Sequence, residues 1–67
     1  MTEIFVKFTD YTITYPACET GTVAYARCAA WLMRYPHARV TEKLGKVATI
    51  LIEPRCPVPD DLRWSGD

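Results

Sequence analysis

The sequence lacks an apolar run long enough to cross a membrane, because a spanning helix needs about 18 consecutive apolar residues. Neither a charged leader nor a cleavable apolar block is present in the N-terminal segment MTEIFVKF, so no secretory signal is expected. A charge excess is lacking too, since eight Lys and Arg residues balance eight Asp and Glu residues. This balance excludes a strongly basic nucleic-acid binder and an acidic DNA mimic at the level of the whole chain. The sequence therefore predicts a soluble protein with no membrane partner.

Catalytic and nucleotide-binding motifs are missing as well. With three glycines and one histidine, the chain has no P-loop, no Rossmann glycine pattern and no EF-hand. A dyad of His37 with Cys18 or Cys28 would have no third residue to orient it. The neighbouring Asp60 and Asp61 lie in a proline-bounded segment, where a loop cap is the usual role. A chain of 67 residues also has little room for a pocket of about 300 Å³, so we expect no enzymatic activity and no cofactor.

The cysteine count is odd, which excludes a complete set of disulfides within one chain. The three cysteines are Cys18, Cys28 and Cys56. Their spacing does not match the short Cys–Cys knuckle of a zinc site, and His37 lies at no recognised ligand spacing. We therefore expect three thiols without a disulfide or a metal, and a reducing, cytoplasmic compartment.

A β-hairpin is predicted at the start of the chain. Apolar and polar side chains alternate over Glu3–Thr9 and again over Tyr11–Tyr15, which is typical of half-buried strands. Asp10 suits the turn, because its side chain can accept hydrogen bonds from nearby backbone N–H groups. Pro16 is expected to end the second strand.

A helix is predicted from about Thr22 to Arg34. Apolar side chains recur at helical spacing along one stripe, at Ala24, Cys28, Trp31, Leu32 and Tyr35. Thr20 and Thr22 are both candidate N-caps, because a hydroxyl can accept from an unpaired backbone N–H. Pro36 should end the helix at Tyr35, because the residue before a proline disfavours helical geometry.

A second hairpin is predicted from Arg39–Leu44 and Lys46–Glu53, with Gly45 supplying a positive φ in the turn. The second of these strands is apolar on both faces, which indicates an interior strand, and Pro54 closes it. The order β-β-α-β-β predicts an α+β fold. We expect a two-layer sandwich in which one helix packs on a mostly antiparallel four-stranded sheet. How the two hairpins meet does not follow from the sequence.

Residues 1–53 are predicted to form a single α+β domain, followed by an extended proline-rich C-terminal tail over residues 54–67. Its three prolines leave no room for a regular element longer than one turn. Val58, Leu62 and Trp64 are spaced to dock part of the tail on the domain.

One helix can cover only one face of the sheet. The face under the helix is expected to hold Ile4, Val6, Phe8, Ile13, Val40, Ala48, Ile50 and Ile52. The outer face then keeps Phe5, Val47 and Leu51, which are too apolar for full exposure to water. The tail through Leu62 and Trp64, a second copy in a homodimer, or a foreign partner would each cover them.

Charge is distributed unevenly, since residues 20–50 carry five basic side chains and one acidic one, between two acidic ends. Arg27 and Arg34 are seven residues apart and are expected on the solvated helix face opposite the apolar stripe. The residues predicted to bind a partner are Arg27, Arg34, Trp31, Arg39 and Lys43. A solvated helix face beside an exposed hairpin, with no partner, is the competing interpretation.

We expect a small non-enzymatic protein-binding module, whose partner presents an acidic or nucleoprotein surface. By analogy of size and fold class, such a protein would be a phage- or mobile-element-encoded inhibitor that occludes a surface of a host defence complex. The alternative is a small nucleic-acid-binding protein that uses the outer sheet face. There Phe5 would stack on a base while Lys7, Arg39 and Lys43 contact phosphates.

Overall fold

In a computed structural model, the chain folds into six helices and strands. The structure describes residues 1–63 apart from the side chains of Cys18 and Glu19. The strands and helices are β1 (Thr2–Lys7), β2 (Thr12–Glu19), α1 (Gly21–Arg34), β3 (Arg39–Lys43), β4 (Ala48–Glu53) and α2 (Asp60–Arg63). The predicted α+β fold is confirmed, with α1 packed on one face of a four-stranded sheet.

The two hairpins meet through their first and last strands. The strand order is β2-β1-β4-β3, so β1 and β4 are the central pair and run parallel to each other. The pairs β1–β2 and β3–β4 are antiparallel, as hairpins require. The central position of β4 agrees with its apolar residues on both faces.

The prediction that Pro16 ends the second strand is wrong, because β2 continues through it to Glu19. The register between β1 and β2 shifts between Thr2 and Ile4, so β2 bulges around Pro16. β2 is also an edge strand. A proline is tolerated at an edge or a bulge, because its missing N–H removes no required bond of the ladder.

The second hairpin also differs from the prediction at its turn. Gly45 does not adopt a positive φ. The connection from Leu44 to Val47 spans four residues, and it is the two-residue turns that require this conformation. Within residues 1–63, the positive φ belongs instead to Arg55, at 65°.

The helix agrees with its predicted signals. Thr20 is the N-cap, and its hydroxyl oxygen accepts a hydrogen bond from Val23 N–H at 3.4 Å. At the other end, Tyr35 is the C-cap and donates its N–H to the Trp31 carbonyl at 2.8 Å. Pro36 follows directly, so the chain leaves the helix where the proline predicts.

The core lies between α1 and the sheet. Its buried side chains are Ile4, Val6, Phe8, Ala24, Cys28, Trp31, Ile50, Ile52 and Val58. Phe8, Trp31 and Tyr35 form an aromatic cluster with ring centroids 5.7 to 6.1 Å apart. This cluster fixes the C-terminal end of α1 over the end of β1.

Two residues predicted for the core lie at its margin. Val40 is 46% exposed, although it is paired with the buried Ile52 across β3 and β4. Leu32 is half-buried and is not part of the core cluster. Both differences have one cause. Helix α1 packs mainly on β1, and edge strand β3 lies at the margin of the contact between the helix and the sheet.

The segment after β4 packs back onto the domain. Val58 is buried in the core, and its N–H donates to Asp10 Oδ1 at 2.9 Å. Arg63 forms an ion pair with the same carboxylate. Asp10 was expected to bind nearby N–H groups of its own turn, and it binds the C-terminal segment instead. The predicted domain boundary at residue 53 stays a prediction, although Val58 belongs to the core.

Replacing Ile52 with Ala should destabilise the protein by about 2 to 5 kcal/mol, because the change leaves a cavity in a fully buried position of a central strand. Val40→Ala is the matched control, since Val40 is the cross-strand neighbour of Ile52 on the same sheet face. The control should cost less than about 1 kcal/mol, because about half of this residue is already exposed to water. Urea unfolding measures both values, and equal losses would contradict this description of the core.

Asp10→Ala should loosen the C-terminal segment, because the Val58 N–H then has no carboxylate acceptor and Arg63 loses its ion pair. Losing such an acceptor costs about 1 to 3 kcal/mol. Limited proteolysis after β4 and urea unfolding would both report the change. Asp60→Ala is the control, because that carboxylate is fully exposed and contacts Arg63 only at 3.9 Å. Equal protease sensitivity of the two variants would show that Asp10 does not anchor the segment.

Candidate functional site

Arg27 and Arg34 lie on the flank of α1 that faces β2. The Arg27 guanidinium carbon is 4.3 Å from the centre of the Tyr15 ring, which is the geometry of a cation–π contact. Arg34 Nη2 lies 3.5 Å from Asp61 Oδ1 of α2. Both arginines are therefore held over the edge of the core by neighbouring elements.

The expectation that these arginines lie opposite the apolar stripe is wrong. Arg27 is three residues after Ala24 and four before Trp31, and side chains at these spacings are neighbours on a helix surface. Because Ala24 and Trp31 are buried, Arg27 must border the buried stripe. Arg34 has the same relation to Trp31, three residues away.

A shallow depression of about 260 Å³ lies between α1, β2 and α2. We call it the helix-side pocket, and its lining residues are Tyr15, Arg27, Ala30, Trp31, Arg34 and Leu62. Trp31 is only 9% exposed, and its Nε1–H donates to the Tyr15 hydroxyl oxygen at 3.3 Å. The pocket therefore combines an apolar floor with two arginines, and Trp31 contributes to that floor.

The solvent side of α1 is almost without charge. Tyr25 is 63% exposed and Met33 is 86% exposed, and Ala26 and Ala29 are exposed between them. The helix contains no acidic residue, and Arg27 and Arg34 are its only charged residues. Sequence reasoning missed this apolar helix face, although counting 100° per residue from the buried stripe places Met33 on the far side.

Arg39 and Lys43 lie on the other layer of the molecule. Val40 pairs with the buried Ile52, so its strand neighbours point to the outer face of the sheet, away from α1. Lys43 lines a depression on that face. The predicted partner-binding residues are therefore divided between two opposite surfaces.

The outer face has an apolar centre. A depression of about 210 Å³ is lined by Phe5, Thr41, Lys43, Thr49 and Leu51. Val47 lies in the connection between β3 and β4 and is exposed. The described tail does not cover this centre, because Leu62 lines the helix-side pocket, and Trp64 lies outside the described residues.

Two acidic side chains share the outer face with its cations. Glu3 Oε1 accepts a hydrogen bond from Thr49 Oγ1 at 2.8 Å. Glu53 is the cross-strand neighbour of Arg39 and lines a second cleft with Lys7. These acids lower the positive potential that a nucleic-acid backbone requires.

The second cleft lies at the carboxyl ends of β1 and β4 and was not foreseen from the sequence. Its volume is about 290 Å³, and it is lined by Lys7, Phe8, Thr9, Glu53 and Arg55. Arg55 has the positive φ noted above, which is uncommon for a residue other than glycine. One carboxylate among two cations leaves this cleft with a small positive charge.

Cys28 is a buried titratable group with a shifted pKa. Burial raises the pKa of the Cys28 thiol, and the nearby Glu42 carboxylate raises this pKa further. Cys28 and Cys56 are not in disulfides. In the part of the chain that the structure describes, no three His, Cys, Asp or Glu side chains come together as metal ligands.

None of the helices within residues 1–63 combines the length and apolar character that crossing a membrane requires. Comparisons with protein-family models, curated proteins and solved structures gave no match.

The raised pKa of Cys28 predicts a pH dependence of stability. The unfolded chain ionises this thiol at about pH 8.5, whereas the folded chain keeps it protonated to higher pH. The free energy of unfolding should therefore fall as the pH rises above the unfolded value. Urea unfolding of the wild type and of Cys28→Ala between neutral and alkaline pH measures this effect.

Comparing the wild type with Cys28→Ala removes the contribution of the other titrating groups to the pH dependence, because both proteins share these groups. Cys56→Ala controls for the loss of a thiol elsewhere in the chain. The stability difference between the wild type and Cys28→Ala should change in favour of the variant at alkaline pH. A difference that is independent of pH would contradict the prediction.

Proposed function

We propose that this protein is a small non-enzymatic protein-binding module that contacts its partner with the helix side of the molecule. The observation that carries the proposal is the helix-side pocket, in which Arg27 and Arg34 border an apolar floor. Next to the pocket around α1 lies the exposed Met33, whereas the exposed Tyr25 is on the opposite flank of the helix from Arg34. Interfaces have the same composition, with aromatic residues, Met and Arg enriched and other charged residues depleted.

The arginines are suited to this role because neighbouring groups already restrict their positions. The Tyr15 ring lies against Arg27 and the Asp61 carboxylate lies against Arg34. A side chain that is ordered before binding loses less conformational entropy in the complex. The small residues Ala26 and Ala29 let a partner backbone approach α1 closely.

The partner chemistry that fits this side is an apolar segment with a carboxylate, or an acidic nucleoprotein surface. A partner carboxylate would replace or share Asp61 as the counterion of Arg34, and Arg34 remains about half exposed for that contact. Since α1 has no acidic residue, nothing on the helix itself would repel such a partner.

We extend the proposal to a cytoplasmic inhibitor, encoded by a phage or mobile element, that blocks a surface of a host defence complex. The support is an analogy of size and fold class. Occlusion requires only a rigid scaffold and a binding surface with anchor residues such as arginine.

The alternative function, nucleic-acid binding by the outer face, is favoured by the half-buried Phe5 among Lys7, Arg39 and Lys43. It is opposed by Glu3 and Glu53 on the same face. A salt titration with single-stranded oligonucleotides tests it directly, because phosphate contacts weaken steeply with salt. Absence of binding at low salt would remove this alternative.

The helix-side proposal predicts that the double variant Arg27→Glu and Arg34→Glu loses its partner while remaining folded. Replacing both cations places two carboxylates beside an acidic partner, and truncation or reversal of such contacts costs several kcal/mol in binding. The measurement is affinity capture from cells of the source organism with quantitative mass spectrometry. Circular dichroism checks the fold of each variant.

The matched control is the double variant Arg39→Glu and Lys43→Glu, which makes the same charge change on the opposite layer. A true partner of the helix side should be lost with the first variant and kept with the control. Equal retention by both variants would contradict the assignment to the helix side. Loss only with the control would assign binding to the outer face.

A further inference from the structure

The outer face of the sheet carries an apolar row across all four strands. In strand order, this row consists of Thr14, Phe5, Leu51 and Thr41. Phe5 and Leu51 are adjacent on the two central strands and are only half-buried within one chain. Because the described tail packs on the helix side, another surface must cover this row if the two side chains are to leave water.

A row of charged residues lies on each side of the apolar row. At the carboxyl ends of β1 and β4, the row consists of Lys7, Glu53 and Arg39. At the other end, it consists of Glu3, Thr49 and Lys43. The charges alternate in sign along the first row, and the second row carries opposite charges at its two ends, so the face is able to complement a copy of itself.

We propose that a second copy of this chain covers the outer face, in an isologous dimer whose two-fold axis runs along the strands between β1 and β4. This rotation exchanges the two central strands. It therefore places Phe5 over Leu51 of the second copy, and Lys7 over Glu53 of the second copy. Because the interface is two-fold, each of these contacts occurs twice.

The remaining positions are also compatible under this rotation. Thr14 faces Thr41 of the second copy, and Glu3 faces Thr49 of the second copy. In the second pair a carboxylate faces a neutral hydroxyl, whose single hydrogen is already donated to Glu3 of its own chain at 2.8 Å. The rotation brings no like charges together in these rows, and the strands of the two sheets stay aligned, as is common for packed sheets.

The other two-fold axis in the plane of the face, across the strands, is disfavoured. It would place Arg39 over Lys43 of the second copy and Lys7 over Glu3 of the second copy, so two repulsive contacts would offset two attractive ones. Like charges opposite each other in an interface are destabilising. The charge pattern therefore selects the axis along the strands.

The size of the face predicts the strength of the dimer. Strands about 4.8 Å apart with a rise of about 3.3 Å per residue give a footprint of about 400 Å² per copy. Two copies then bury about 800 Å² in total, without the additional area that protruding side chains contribute. This buried area is below the standard interface size. A weak dimer is expected, and its dissociation should be observed within the micromolar range.

Sedimentation equilibrium of the full chain over the micromolar range tests this proposal. The wild type should show a monomer–dimer equilibrium. Lys7→Glu should weaken dimerisation at least about tenfold, because two like-charge contacts replace two attractive ones. Adding Glu53→Lys to this variant should restore most of the affinity, because the same pair is present with its charges exchanged.

Lys46→Glu is the control, because it makes the same charge change in the connection between β3 and β4, outside the three rows. Circular dichroism and thermal unfolding show whether each variant is folded. A wild type that is monomeric throughout the range would overturn the proposal and leave the outer face to a foreign partner. A dimer that responds equally to Lys7→Glu and Lys46→Glu would overturn it too. The helix side faces outward in the dimer, so its partner binding is tested separately.

Discussion

The parallel pairing of β1 with β4 is the constraint on which the rest of the structure depends. Parallel neighbours need a crossover connection, and here the crossover consists of β2, α1 and β3. The pairing places Ile4 beside Ile50 and Val6 beside Ile52 at the centre of the sheet. These four side chains are buried, so α1 must lie over them, and the opposite face of the sheet is left without a second helix.

The local features of α1 were predictable from the sequence. The stripe on α1, its cap at Thr20 and its end before Pro36 agree with the structure, because each depends on a few neighbouring residues. Features that depend on position in the sheet were not predictable. Pro16 is accepted within β2 because this strand is an edge strand with a bulge, and nothing near Pro16 in the sequence indicates that position.

The same limit applies to the candidate site. The types of residue were identified from the sequence, but their division between two surfaces was not. Arg27 and Arg34 belong to the helix layer, whereas Lys43 lines the outer face. A two-layer fold separates residues that are close in sequence, so a net positive segment does not produce one basic surface. The outer face also receives Glu3 from the first strand, because β1 and β4 are neighbours.

The shape of the helix-side pocket depends on the segment that follows β4. Contacts that hold this segment therefore also affect the proposed binding surface. Leu62 lines the pocket and Asp61 contacts Arg34, and both residues lie in α2. The segment that leads to α2 is joined to the first hairpin by Asp10 through the Val58 N–H. The turn between β1 and β2 therefore helps to position the helix-side pocket. Because these contacts lie largely at the margin of the core, a change in the segment alters the pocket more than it alters the central sheet.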